Sequence, residues 1–211
     1  MEDFFTGLAT AYSQEIHDLG QAGCSYLQID EVNFAYLCDP ALRAQAQKIG
    51  EDPDELIGTY ARLINDATGN RPAGMRVALH LCRGNFEGAW LADGGYEQVA
   101  ERLFNEVQVD GYFLEYDMPR AGDFKPLRFV PPNKTIVLGL VSTKSPILET
   151  KDDLKRRIDE AAKYVPLEQL ALSPQCGFAS GERGNNITLD DELKNCNWSS
   201  RRQRKFGGIK L

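Results

Sequence analysis

His80 and Cys82 stand one residue apart in the apolar run Arg76-Val77-Ala78-Leu79-His80-Leu81-Cys82. Alternate residues of an extended strand project to the same side, so this spacing aims an imidazole and a thiol at one point. Both groups are ligands that zinc accepts, and the chain has one other histidine, His17. A metal site is one reading. The other is that Cys82 is a buried small hydrophobe and His80 an ordinary polar residue at a strand end, because free cysteine is among the most buried residue types. Further ligands are needed to decide.

Three more residues have suitable chemistry. Glu115 closes the run Gly111-Tyr112-Phe113-Leu114. Cys176 lies in Ser173-Pro174-Gln175-Cys176-Gly177-Phe178, where Pro174 and Gly177 mark a tight turn able to present a thiol instead of burying it. Asp30, followed by Glu31, closes Ser25-Tyr26-Leu27-Gln28-Ile29. Taken singly, Glu115 reads as a solvated carboxylate, Cys176 as a loop thiol, and Asp30 as a helix N-cap or surface carboxylate. Taken together, His80, Cys82, Glu115 and Cys176 form a mixed nitrogen, sulfur and oxygen set that suits tetrahedral zinc. Two thiolates and a carboxylate would bring three negative charges, which favours a displaceable oxygen ligand over a closed structural site.

The elements that must position these residues are legible in outline. Phe4, Leu8, Tyr12, Ile16 and Leu19 fall at helical spacing, and Gly20 with Gly23 supplies a stop. Helices are expected near 41–48, 53–66, 95–107 and 150–164. Strands are expected at 25–30, 76–82, 111–115, 135–140 and 169–173. Short apolar strands alternating with helices indicate an α/β class with a parallel sheet. Asp30, His80, Cys82, Glu115 and Cys176 then all fall at or just past the C-terminal ends of strands, the edge where such sheets build their chemistry.

Composition narrows the function classes. The chain has 211 residues, 42% hydrophobic and 26% charged, with formal charge −7. That balance fits one core and gives no general surface for nucleic acid or an anionic membrane. Neither a signal-type start nor a run of about eighteen apolar residues is present, so a cytoplasmic protein is expected. The five cysteines, Cys24, Cys38, Cys82, Cys176 and Cys196, are odd in number and widely spread, which argues against a disulfide framework.

In order and spacing, Tyr26-Leu27-Gln28-Ile29-Asp30-Glu31, His80-Leu81-Cys82, the strand-end Glu115 and Pro174-Gln175-Cys176-Gly177 resemble the catalytic barrel of cobalamin-independent methionine synthase. The likeness runs from about residue 10 to 190 and is greatest to short single-barrel members. It implies a (β/α)8 TIM-barrel type of fold and zinc held by His80, Cys82, Glu115 and Cys176. It further implies that Asp30 holds the amino group of homocysteine. The implied activity is that of a 5-methyltetrahydropteroyltriglutamate-homocysteine S-methyltransferase, moving a methyl group from a methyltetrahydrofolate-type donor to homocysteine and giving methionine.

Several features depart from that pattern. Larger members carry a proton-donating histidine after the strand ending at Leu140, whereas Val141-Ser142-Thr143-Lys144-Ser145-Pro146 has none, and the usual proline after Asp-Glu is replaced by Val32-Asn33. A complete barrel needs eight strands and about 250 residues; the five strands read here make an incomplete one, with exposed edges that favour self-association. Residues 1–193 are therefore read as a partial barrel domain. Residues 194–211 read as an aberrant basic tail lacking helical periodicity, where a closing amphipathic helix belongs. With permitted codons chosen for 194–210, a shifted frame spells an amphipathic peptide followed by a stop, so the tail is read as a frameshift product. Two alternatives to an active methyltransferase stay open: a non-catalytic zinc-binding fragment, and a half-barrel active only with a separately encoded N-terminal part.

Overall fold

The computed structural model describes residues 2–179 and 181–203. Five strands, β1 (Tyr26–Glu31), β2 (Arg76–Leu81), β3 (Gly111–Glu115), β4 (Thr135–Val141) and β5 (Leu170–Pro174), form one parallel sheet in sequential order. Seven helices flank them: α1 (Glu2–Gln21), α2 (Asn33–Tyr36), α3 (Pro40–Lys48), α4 (Pro53–Thr68), α5 (Glu97–Glu106), α6 (Lys151–Ala161) and α7 (Leu189–Gln203). Each expected strand forms within a residue or two of its sequence bounds. Among the described residues the sheet does not close, so β1 and β5 are edges.

Local chemistry explains the helix starts. Asp39 and Asp52 precede Pro40 and Pro53, and each carboxylate accepts from two backbone N–H groups of the first turn, capping α3 and α4. Proline loses nothing at the first helical position, since its missing N–H would be unpaired there anyway. Thr150 caps α6 by accepting from Asp153 N at 3.1 Å. Glu31 performs the same service for α2, taking Asn33 N at 2.7 Å and Phe34 N at 2.9 Å. The capping role open to Asp30 thus belongs to its neighbour.

The two faces of the sheet differ. Val77, Leu79, Leu81, Tyr112, Leu114, Ile136, Leu138 and Leu140 point to the helices and pack with Ile57, Ala61, Val99, Leu103 and Ile158 in one core. The opposite face carries Tyr26, Ala78, Phe113 and Val137 along a trough of ≈ 800 Å³ with no helix over it. His80 and Glu115 lie on that same face, near its C-terminal rim.

The last helix enters the segment read as a tail. Residues 194–203 lack an apolar helical periodicity, and α7 nonetheless runs through them. A polar anchor and one aromatic contact hold it, in place of a continuous apolar stripe. Asn195 is 2% exposed and donates from Nδ2 to Ser142 O at 2.8 Å, while Trp198 packs against the core. Residues 204–211 of the basic tail lie outside the described residues. Among the described residues, no helix is long and apolar enough to cross a membrane.

Candidate metal centre

Strand register brings the selected residues together. Asp30 and His80 are partners across β1 and β2, and His80 pairs with Phe113, two residues before Glu115 on the same side of β3. Glu115 in turn pairs with Gly139, which pairs with Ser173. A register shift between Gly139 and Val141 sets Pro174 opposite Val141, and Gln175 then folds its amide back onto Gly139 O at 2.5 Å. A β-carbon at Gly139 would lie 3.0 Å from both Gln175 Nε2 and Leu114 O, so any side chain there would press on this approach. Gly177, at φ +101°, completes the turn that presents Cys176.

The donor atoms converge. Cys176 Sγ lies 3.7 Å from Cys82 Sγ, 3.8 Å from His80 Nε2 and 2.7 Å from Glu115 Oε1. His80 Nε2 is 3.8 Å from the same Glu115 oxygen. One donor atom from each of His80, Glu115 and Cys176 falls within 4.8 Å of the others, and Cys82 stands outside that trio, on the Cys176 side. Zinc with bonds of 2.0–2.3 Å in a tetrahedron needs ligand atoms about 3.3–3.8 Å apart. The sulfur–sulfur, sulfur–nitrogen and nitrogen–oxygen separations match that requirement. The shorter sulfur–oxygen contact is an S–H donating to a carboxylate, which gives way when a cation replaces the proton. By donor type and spacing, His80, Glu115 and Cys176 fit zinc, and Cys82 lies beside them next to Cys176.

Asp30 is the outer partner of this group. Its Oδ1 lies 3.0 Å from His80 Nδ1, which fixes the ring so that Nε2 faces the other donors. Its side chain is still 70% exposed, at the edge of a cleft of ≈ 300 Å³ that His80, Gln175 and Cys176 also line.

Charge is distributed unevenly. Burial pushes the Glu115 carboxyl up, but the His80 bond, the Lys144 ammonium, the Cys176 thiol and the Arg120 guanidinium outweigh it and hold its pKa down to about 2. Burial lowers the His80 pKa, and its bonds to Glu115 and Asp30 reverse this, leaving it raised. The Cys176 thiol favours thiolate at Cys82, whose pKa falls to about 6. The Cys176 pKa is driven upward, because its proton is held by Cys82 and by the neighbouring Glu115. The contact between the two sulfurs thus favours thiolate at Cys82 and thiol at Cys176.

The sequence reading missed four supporting residues. Tyr96, fully buried, clamps the Glu115 backbone: its hydroxyl accepts from Glu115 N at 2.9 Å and donates to Glu115 O at 3.2 Å. Arg83, also buried, stacks its guanidinium 4.4 Å from the Tyr96 ring centroid. Arg120 and Lys144 reach Glu115 Oε2 at 3.2 and 3.7 Å. Lys144 lies in the segment that lacks histidine, the only hint the sequence offered.

Comparison with known proteins places the chain among relatives of the same fold. Residues 2–195 match the family described as cobalamin-independent synthase, catalytic domain. The Bacillus subtilis protein YxjH, itself uncharacterized, is 45% identical over 192 residues, covering 90% of this chain and 51% of that protein. A methionine synthase of Pyrococcus abyssi is 28% identical over 177 residues, covering 84% of this chain and 44% of its own. A Listeria monocytogenes crystal structure, provisionally called a vitamin-B12 independent methionine synthase, superposes with TM-score 0.74 at 36% identity, covering 98% of this chain and 56% of that one. A B12-independent methionine synthase from Shewanella sp. W3-18-1 shares the fold at TM-score 0.63 and 17% identity. The chain spans about half the length of these relatives. The open five-stranded sheet is thus part of a TIM-barrel-type architecture, and with strand-end motifs, register and match over residues 2–195 in accord, the chain belongs to the cobalamin-independent methionine synthase catalytic-domain family.

Proposed function

We propose that this chain carries the thiol-activating part of a zinc-dependent methyltransferase that moves a methyl group from a 5-methyltetrahydrofolate-type donor to homocysteine, giving methionine. The observation that supports this reading is the convergence of His80, Glu115 and Cys176 beside Asp30, with Cys82 3.7 Å from Cys176, at the mouth of a cleft of ≈ 300 Å³. Zinc, when bound, supplies a low-pKa environment in which the substrate thiol is held as thiolate at neutral pH.

The chain's own residues do the rest. His80, Cys82, Glu115 and Cys176 would hold the metal. The exposed Asp30 carboxylate is suited to an ammonium group, placing an amino acid's thiol toward the donor cluster while its Oδ1 keeps His80 oriented. In the overall transfer a carbon–sulfur bond forms, the donor's carbon–nitrogen bond breaks, the thiol proton leaves to solvent and the released amine takes up a proton. A cytoplasmic setting accords with reduced thiols in the ligand set.

A second reading is favoured by the uncovered trough of ≈ 800 Å³ on the inner face of the sheet. There the protein is a half-barrel that turns over only with a separately supplied segment providing the other strands. The test is methionine formation from homocysteine and 5-methyltetrahydrofolate, read by mass spectrometry, for the zinc-loaded chain alone and mixed with the N-terminal half of a longer relative. Zinc-dependent product from the chain alone supports the first reading, and product on mixing alone supports the second. Zinc binding without product in either arrangement would leave a non-catalytic metal-binding fragment and overturn the methyltransferase.

A further inference from the structure

The Glu115 carboxylate has two distinct sides. Oε1 faces the donor cluster, 2.7 Å from Cys176 Sγ and 3.8 Å from His80 Nε2. Oε2 faces two cations, 3.2 Å from Arg120 Nη2 and 3.7 Å from Lys144 Nζ. All three side chains are nearly sealed from water: Glu115 is 1% exposed, Arg120 5% and Lys144 4%. Lys144 is also shared with Asp117, whose Oδ2 lies 3.8 Å away, and neither Lys144 Nζ nor Arg120 Nε has a hydrogen-bond partner among the described residues. Burying ammonium and guanidinium groups with incomplete hydrogen bonding is costly. Neither cation is placed to ligate a metal, and both act on one oxygen of one carboxylate.

We propose that Arg120 and Lys144 are positioning residues that weaken Glu115 as a metal ligand and hold its carboxylate when it lies off the metal. Positive charge on Oε2 draws electron density from the carboxylate, so Oε1 donates less strongly. A carboxylate leaving the cluster is not stranded in a dry interior, because two cations already compensate it. The Tyr96 hydroxyl holds the Glu115 backbone, so exchange requires movement of the side chain alone.

This inference rests on the metal-site reading, and the two fail differently. Loss of an outer partner ordinarily weakens metal affinity, on the order of tenfold to a hundredfold. Here the expected sign is opposite. Lys144→Met and Arg120→Met each leave Glu115 with less compensation than the metal itself can supply, so each should tighten zinc binding on the order of tenfold. Affinity is measured with zinc alone, in competition with a chromophoric chelator, and folding is checked by circular dichroism. Lys144→Arg and Arg120→Lys keep the charge and should leave zinc affinity near that of the unaltered protein. In a Glu115→Gln background the tightening from Lys144→Met should vanish, because the coupling runs through the carboxylate. Unchanged or weaker zinc binding in both charge-removing variants overturns the proposal while the metal site stands. Should either charge-removing variant fail to fold, the charge-keeping pair still decides: a large loss of affinity in both means that these side chains act by shape and not by charge. Absence of zinc binding by the unaltered protein sinks the underlying site instead.

Discussion

Asp30 Oδ1 and His80 Nδ1 stand 3.0 Å apart although fifty residues separate them in the chain. Parallel register makes the contact, because β1 and β2 align these two residues as direct partners. A carboxylate on the far nitrogen of a ligating imidazole fixes its tautomer and raises its basicity. Asp30→Ala is therefore expected to weaken zinc binding on the order of tenfold to a hundredfold, by chelator competition. If Asp30 only meets substrate, zinc affinity stays unchanged and homocysteine binding alone declines.

The ligand assignment has a direct check. Cys82→Ser and Cys176→Ser are each expected to abolish tight zinc binding. Cys24→Ser and Cys38→Ser should not, since Cys24 bonds to Tyr26 O and Cys38 to Phe34 O, away from the cluster. Metal content of the four purified variants decides, and equal content across all four rejects the assignment.

Thiol reactivity in the metal-free protein should show an unusual pH dependence. The Cys176 thiol stabilises thiolate at Cys82 and brings its pKa to about 6, against 9.0 for an ordinary cysteine. Thiolate is the reactive form. Alkylation of Cys82 should accordingly rise through about pH 6 and level off where an ordinary cysteine is still gaining reactivity. Zinc should suppress labelling of both Cys82 and Cys176, and a chelator should restore it. Peptide mapping after timed iodoacetamide exposure reads this, and a Cys82 rate still climbing between pH 8 and 9 would be contrary.

Glu115 links the same cluster to acid stability. Its folded pKa of about 2 lies below the ordinary 4.5, so ionised Glu115 stabilises the fold above the ordinary value, and that contribution disappears as pH falls toward about 2. Metal-free protein should lose urea resistance through that window, with a change on the order of a few kcal/mol. Glu115→Gln should start less stable at neutral pH and show a shallower acid slope. Parallel curves for the two proteins would contradict the linkage.

The strands and four proposed ligands were legible because they obey short-range rules. Val77, Leu79 and Leu81 alternate with His80 on a buried strand, Asp39-Pro40 and Asp52-Pro53 announce their helices, and Pro174 with Gly177 announces the turn around Cys176. Arg120 and Lys144 obey no such rule. Their long side chains carry charge from separate loops to one carboxylate, and only tertiary structure reveals the meeting. Asp30 was legible as a polar strand end but not as the partner of His80, which depends on register. The helical character of residues 194–203 was hidden because Asn195 holds that turn through an amide and Trp198 alone adds an apolar contact, which leaves no periodic stripe to read.

That amide supports the last expectation. Asn195 Nδ2 donates to Ser142 O at 2.8 Å, and Ser142 Oγ accepts from Lys144 N at 3.3 Å, so α7 braces the loop that delivers Lys144 to Glu115. Asn195 is buried whereas Asn197, one residue beyond Cys196 on the same helix, is exposed. Leaving Ser142 O without this donor should cost about 1–3 kcal/mol. Asn195→Ala is therefore expected to lower the urea midpoint clearly and Asn197→Ala to leave it nearly unchanged. If residues from 194 onward are an aberrant tail that contributes nothing to the fold, both variants will match the unaltered protein. The pair of unfolding curves thus separates a structural closing helix from a dispensable extension, through a contact that links that segment to the loop carrying Lys144.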